Sequence, residues 1–94
     1  MSFWKSLFGG GSARAKEPEP VAYNGYLIRP APFAADGQYQ TAGTIEKDVA
    51  GTRKQHRFIR ADRHPSFEAA VEFTVLKARQ IVDQMGERMF DERA

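Results

Sequence analysis

The spacing of apolar residues changes character twice along this chain, and those changes divide it into an arm, a β region and a helix. In the β region, Tyr26, Leu27 and Ile28 form a compact apolar run after the turn signal Asn24-Gly25, and the run continues through Pro30 and Pro32 toward Phe33. Proline has no N–H to give to a ladder, so two of them spaced by one residue predict a strand that lies at a sheet edge or ends early. After a second turn signal at Asp36-Gly37, residues 38–47 alternate Tyr39, Thr41, Gly43 and Ile45 against Gln38, Gln40, Ala42, Thr44 and Glu46. Period-two alternation of this kind predicts a half-buried strand. Asp48-Val49-Ala50-Gly51 comes next, where Gly51 can take the positive φ that closes a hairpin with a bulge. Residues 53–64 form the returning strand. Three strands joined by short connections predict an antiparallel meander.

Beyond the meander the period lengthens. Ser66, after Pro65, is a candidate N-cap, and Glu68 puts a negative charge in the first turn, where the helix dipole favours it. Phe67, Ala70, Val71, Thr74, Val75, Ala78, Ile81, Val82, Met85 and Met89 recur at three and four residues and draw one stripe that should cover the sheet. The helix is expected to run to about Met89, with Gly86 weakening the regularity of its end. Leu76 falls nearly opposite the stripe and Phe73 at its border. Together they would mark a second contact such as a homodimer face, although an exposed leucine by itself needs no explanation. The fold class expected is α+β: a three-stranded antiparallel β-meander packed against one long C-terminal α-helix (βββα), over residues 21–94.

Residues 1–20 read differently. Met-Ser-Phe-Trp-Lys-Ser-Leu-Phe is followed by Gly9, Gly10 and Gly11 and by small, charged and proline residues as far as Pro20. This is expected to be a flexible arm and linker, because glycine is permissive and Pro18 and Pro20 favour extended chain. Phe3, Trp4, Leu7 and Phe8 would gather on one side of a short helix beside Lys5. One reading makes them an anchor for a protein partner or a membrane surface; the other makes them a tail whose aromatics rest on the domain, since so short a helix is marginal alone.

Composition narrows the class. With 94 residues, 41% of them apolar, the chain suits one small domain with modest room for a core. The absence of cysteine removes disulfides, thiolate metal sites and thiol nucleophiles. No apolar run meets the needs of a signal peptide or a membrane span, so a cytoplasmic location is expected.

Charge singles out one segment. Residues 53–64 hold Arg53, Lys54, Arg57, Arg60 and Arg63 against Asp62 alone, a net +4 in a chain whose total is +2. One helix covers one face of a sheet, so the other face is where a partner would bind. If Ile59 and Ala61 pack under the helix, Lys54, His56, Phe58 and Arg60 share the open face, cations for phosphates beside a ring for a base. The opposite parity buries Phe58 with His56 and turns Arg53, Arg57 and Ile59 outward. The alternative to any partner is edge protection, since edge strands carry charge to discourage pairing with other chains.

Catalytic chemistry finds little footing. His56 and His64 with Asp62 lack a third ligand at a usual spacing, so no metal and no cofactor is expected. His64 beside Pro65 reads as part of a turn, and Ser66 as a cap. Gly9 to Gly11 lack the strand and helix that flank a phosphate loop. No nucleophile and base pair stands out, so the chain is not read as an enzyme.

Several separated motifs agree in order with one family. Gly37-Gln38-Tyr39, Thr41-Ala42-Gly43 with Ile45-Glu46-Lys47, His56-Arg57-Phe58-Ile59-Arg60-Ala61-Asp62, Ala70-Val71-Glu72-Phe73-Thr74 and Lys77-Ala78-Arg79-Gln80-Ile81 together resemble the small proteobacterial HlyU family, named for a haemolysin activator. Even Ser2-Phe3 through Leu7-Phe8-Gly9-Gly10 is similar to that family's arm. The resemblance implies a transcriptional activator that binds DNA. A helix-turn-helix needs two short helices and this chain offers one long one, so DNA contact would fall to a β-ribbon or sheet face, or to a partner factor. Two readings follow. The first is a regulator contacting DNA through Arg53, Lys54, His56, Arg57, Arg60 and Arg63. The second is a non-catalytic interaction module held to a partner or membrane by Phe3, Trp4, Leu7 and Phe8.

Overall fold

The computed structural model describes residues 18–91, an antiparallel sheet with one helix laid across it. Five strands form the sheet: β1 (Val21–Tyr23), β2 (Tyr26–Pro30), β3 (Phe33–Ala35), β4 (Gln38–Val49) and β5 (Thr52–His64). Helix α1 (Phe67–Met85) follows and runs into a 3-10 helix, Gly86–Phe90. The α+β class holds, but five strands replace the three expected.

The two additional strands have simple causes. β1 is a three-residue strand folded onto β2 through Asn24-Gly25, both at positive φ, as a two-residue hairpin turn requires. β2 and β3 are one line of chain interrupted at Ala31 and Pro32: Leu27 faces Glu46, Pro30 faces Gly43 and Phe33 faces Gln40, all in a single register along β4. Ala31 donates to the Ala42 carbonyl at 2.8 Å, so the ladder bonds to β4 come from alternate residues. Pro30 and Pro32 occupy the positions between, whose N–H would point away from β4 and is not missed there. On their other side β1 has already ended, opposite Ile28. The prolines therefore stop the outer strand rather than placing β2 itself at the edge.

The remaining turns are also two-residue loops. Asp36-Gly37 joins β3 to β4, and Ala50-Gly51 joins β4 to β5 with both residues at positive φ and Val49 paired to Thr52. The bulge expected at Gly51 is absent from that turn. It lies further along the same pair, where Gln40 faces Arg63 but Ala42 faces Ile59, leaving two extra residues on β5 opposite Thr41.

The helix begins as its sequence predicts, with the Ser66 hydroxyl accepting from the Ala69 N–H at 3.1 Å. It ends four residues short of Met89, at Met85. Gly86 takes φ 55, caps the helix by donating to the Val82 carbonyl, and turns the chain into the 3-10 segment. That turn carries Met89 back onto the sheet, where it is 2% exposed. Tyr26, Ile28, Ile45, Phe58, Ala78, Ile81, Val82 and Met89 make the core. Gly43, at the centre of β4, lets the helix come close: a Cβ there would lie 2.9 Å from the Arg29 carbonyl oxygen and 3.0 Å from Thr74 Cγ2.

Candidate nucleic-acid interface

Parity along β5 is fixed by Phe58. It faces Gly43, is 5% exposed, and its ring stands within 3.3 Å of where a Gly43 Cβ would be, beside Thr74 of the helix. Lys54 and His56 share that covered side, because they face Lys47 and Ile45. Arg53, Gln55, Arg57 and Ile59 turn outward. Of the two alternations open in the sequence, the one that buries Phe58 with His56 is found, so Lys54, His56, Phe58 and Arg60 do not form a common basic surface.

The open face has no element packed on it among the described residues. Its side chains form rows across the strands: Leu27, Glu46 and Gln55; Arg29, Thr44 and Arg57; Ala31, Ala42 and Ile59; Phe33, Gln40 and Arg63. Central β4 contributes mostly small or half-buried groups, while the flanking strands carry the long ones. Glu46, 6% exposed, is the one acid in the middle. It accepts from Gln55 Nε2 at 2.8 Å and pairs with Arg29 Nε at 3.2 Å and Arg53 Nη2 at 3.4 Å. A carboxylate this enclosed survives only if its oxygens are satisfied, and here they are.

The other cations divide by what holds them. Arg53 also reaches Asp48 at 3.2 Å. Arg63 pairs with Asp36 at 2.9 Å and donates to Gln40 Oε1 at 3.3 Å. The Gln40 amide in turn donates to the Arg60 carbonyl at 2.9 Å, satisfying the backbone of the bulge. Arg57 is exposed and has no acidic partner among the described residues. Lys54 lies apart from these groups, lining a cleft with Val49, Glu87, Arg88, Phe90 and Asp91.

Three residues of this face were not among the predicted contacts. Arg29 was hidden by its place in an apolar, proline-containing run, although the alternation of Tyr26, Ile28 and Pro30 inward implies Leu27 and Arg29 outward. Phe33 and Ile59, 40% and 48% exposed, are the exposed large apolar groups on the open side, with Leu27 half-buried on the same face. His64, read as a turn residue, ends β5 with its Nε2 3.3 Å from Thr41 Oγ1 and its ring 4.8 Å from Phe73. Phe73 is thereby drawn toward the sheet and Leu76, 47% exposed, is left without it on the outer face of the helix. Phe3, Trp4, Leu7 and Phe8 lie outside the described residues.

The rim of the covered face holds the perturbed titrating groups. Tyr23 Oη donates to the Asp83 carboxylate at 3.0 and 3.1 Å, and this bond raises its pKa above the usual 10.0. Lys47 Nζ bonds Glu87 at 3.0 Å, which raises its pKa above 10.5.

The family model for the transcriptional activator HlyU matches residues 2–90. This chain belongs to the HlyU family. No curated protein and no solved structure matches it. The family is described as that of a transcriptional activator. Among the described residues no helix is long and apolar enough to cross a membrane, and no three His, Asp or Glu side chains gather as a metal site.

Proposed function

We propose that this chain is a non-catalytic transcription regulator of the cytoplasm that contacts DNA through the open face of its sheet. The observation that carries the reading is the set of outward arginines, Arg29, Arg53, Arg57 and Arg63, on a face that no element among the described residues covers, with Arg57 free of any acid among those residues. Arg60 belongs to the same strand and is exposed. Lys54 and His56 fall on the other side of β5 and are left as peripheral members of the predicted set.

Arginines that neutralise phosphates release counterions, so affinity should fall steeply with salt. Arg63 can exchange the exposed Asp36 for a phosphate, since a surface ion pair is worth only about 0–1 kcal/mol, while Arg29 and Arg53 stay anchored on the enclosed Glu46 with their half-exposed side chains open to solvent. Binding of the full chain to mixed-sequence DNA, both duplex and single-stranded, across a salt series tests the reading. With four phosphate contacts the log–log slope should be about −3.6 on duplex and about −2.8 on single strands. Absence of any complex at low salt and roughly tens of micromolar protein would reject DNA contact.

A further inference from the structure

We infer that the open face takes single-stranded DNA rather than duplex, with Phe33 as a stacking platform. This rests on the DNA reading above and concerns which form of DNA fits the same surface. Charge complementarity comes from arginines on both sides of central β4: Arg29 and Arg57 flank Thr44 from neighbouring strands, about 10 Å apart at their backbones. Between and beside them stand the apolar groups that duplex DNA does not need. Phe33 and Ile59 are 40% and 48% exposed, and Ala31, Ala42 and Thr44 keep the surface between them low. Stacked bases inside a duplex offer a protein only their edges. A splayed strand offers base faces for Phe33 and a backbone for the arginines.

Geometry opposes the duplex in a second way. The four strands that cross the face from β1 to β5 span about 14 Å between outer backbones, wider than the major groove of about 12 Å. The β4–β5 hairpin is narrow enough to enter, but near its tip Lys47 is held by Glu87 and Arg53 by Glu46 and Asp48, leaving Lys54 there and Arg57 further along. Along β4, Gln40 to Glu46 gives about 20 Å of surface, room for about four nucleotides.

The test is fluorescence anisotropy of the full chain with labelled oligo-dT, a mixed-sequence duplex and oligo-U, at low and moderate salt. Oligo-dT should bind about tenfold tighter than duplex and at least as tightly as oligo-U. Phe33→Ala, at an exposed site, should cost about tenfold for oligo-dT and leave duplex binding within about twofold, while Phe33→Tyr keeps the affinity. Arg57→Gln, on the other side of β4, should weaken both forms alike. Equal or tighter binding of duplex, tighter binding of oligo-U, or a Phe33→Ala chain that binds oligo-dT as before would each overturn the inference while leaving nucleic-acid binding standing. If no nucleic acid binds at low salt, the DNA reading itself falls.

Discussion

Phe58 and Ile59 are adjacent on β5, yet one is 5% exposed and the other 48%. The difference between them is the difference between the two faces of the sheet. On the covered face, apolar groups from β2, β4, β5 and α1 meet around a glycine, and burial supplies the stability. On the open face, an enclosed carboxylate and a set of arginines hold one another in place while two large apolar groups stay in water. Stability and recognition thus sit on opposite sides of the same strands, so substitutions only one residue apart should separate them.

The largest effect tests that separation directly. Phe58→Ala should cost about 3–5 kcal/mol, because a ring enclosed by Ile45, Gly43 and the helix cannot be replaced by collapse alone. Ile59→Ala should change stability by no more than about 1 kcal/mol. Urea denaturation of the two variants checks this; similar midpoints would mean that the faces are not divided as described. Gly43→Ala comes next. Its Cβ would meet a backbone carbonyl at 2.9 Å, which no rotamer change relieves, and overpacking of this kind costs about 1–3 kcal/mol.

On the open face the expected loss is smaller and the functional gain larger. Glu46→Gln removes the charge that holds Arg29 and Arg53 but keeps the shape and much of the hydrogen bonding. Both arginines are half-exposed and can return to water, so stability should fall by about 1 kcal/mol. DNA affinity should rise, since Arg29 and Arg53 no longer divide their contacts between Glu46 and phosphate. A variant that loses both stability and affinity would make Glu46 a structural support for the face rather than a competitor for its cations.

These contrasts also show what could be read from the chain. Residues 38–47 alternate cleanly between apolar or small and polar groups, and β4 follows that alternation. The Ser66 cap is equally plain, and so is the helix stripe except at its ends, where Phe67 and Met85 stay 37% and 39% exposed instead of covering the sheet. β1 was hard to see because three residues carry little period, and only the Asn24-Gly25 turn, which needs a strand on each side, announces it. β5 could not be oriented from its own residues. Cations fall at both parities, and Phe58 and Ile59 are apolar neighbours, so neither alternation has a hydrophobic advantage. What decides the matter is its partner: Gly43 leaves a space on the covered face of β4 that Phe58 fills, a relation between strands that no local pattern contains. The same holds for Phe33 and Arg29, which join the candidate site only because β2 and β3 lie in one register beside β4.

The smallest predicted effect belongs to the rim of the covered face and depends on pH. The hydrogen bond from Tyr23 to Asp83 favours the protonated phenol, so the pKa of Tyr23 is higher in the fold than in the unfolded chain. Lys47 is shifted the same way by its bond to Glu87. A group whose folded pKa is raised contributes its stability in full below the unfolded value and loses it as pH rises through the folded one. Both contributions should therefore be complete at neutral pH and fade above about pH 10. Asp83→Asn should lower the tyrosinate titration of one of the three tyrosines and flatten the alkaline decline in urea midpoint. Open-face variants such as Arg57→Gln should leave both curves unchanged, because no group on that face shares these bonds. An alkaline titration that moved with Arg57 and not with Asp83 would place the coupling on the wrong side of the sheet.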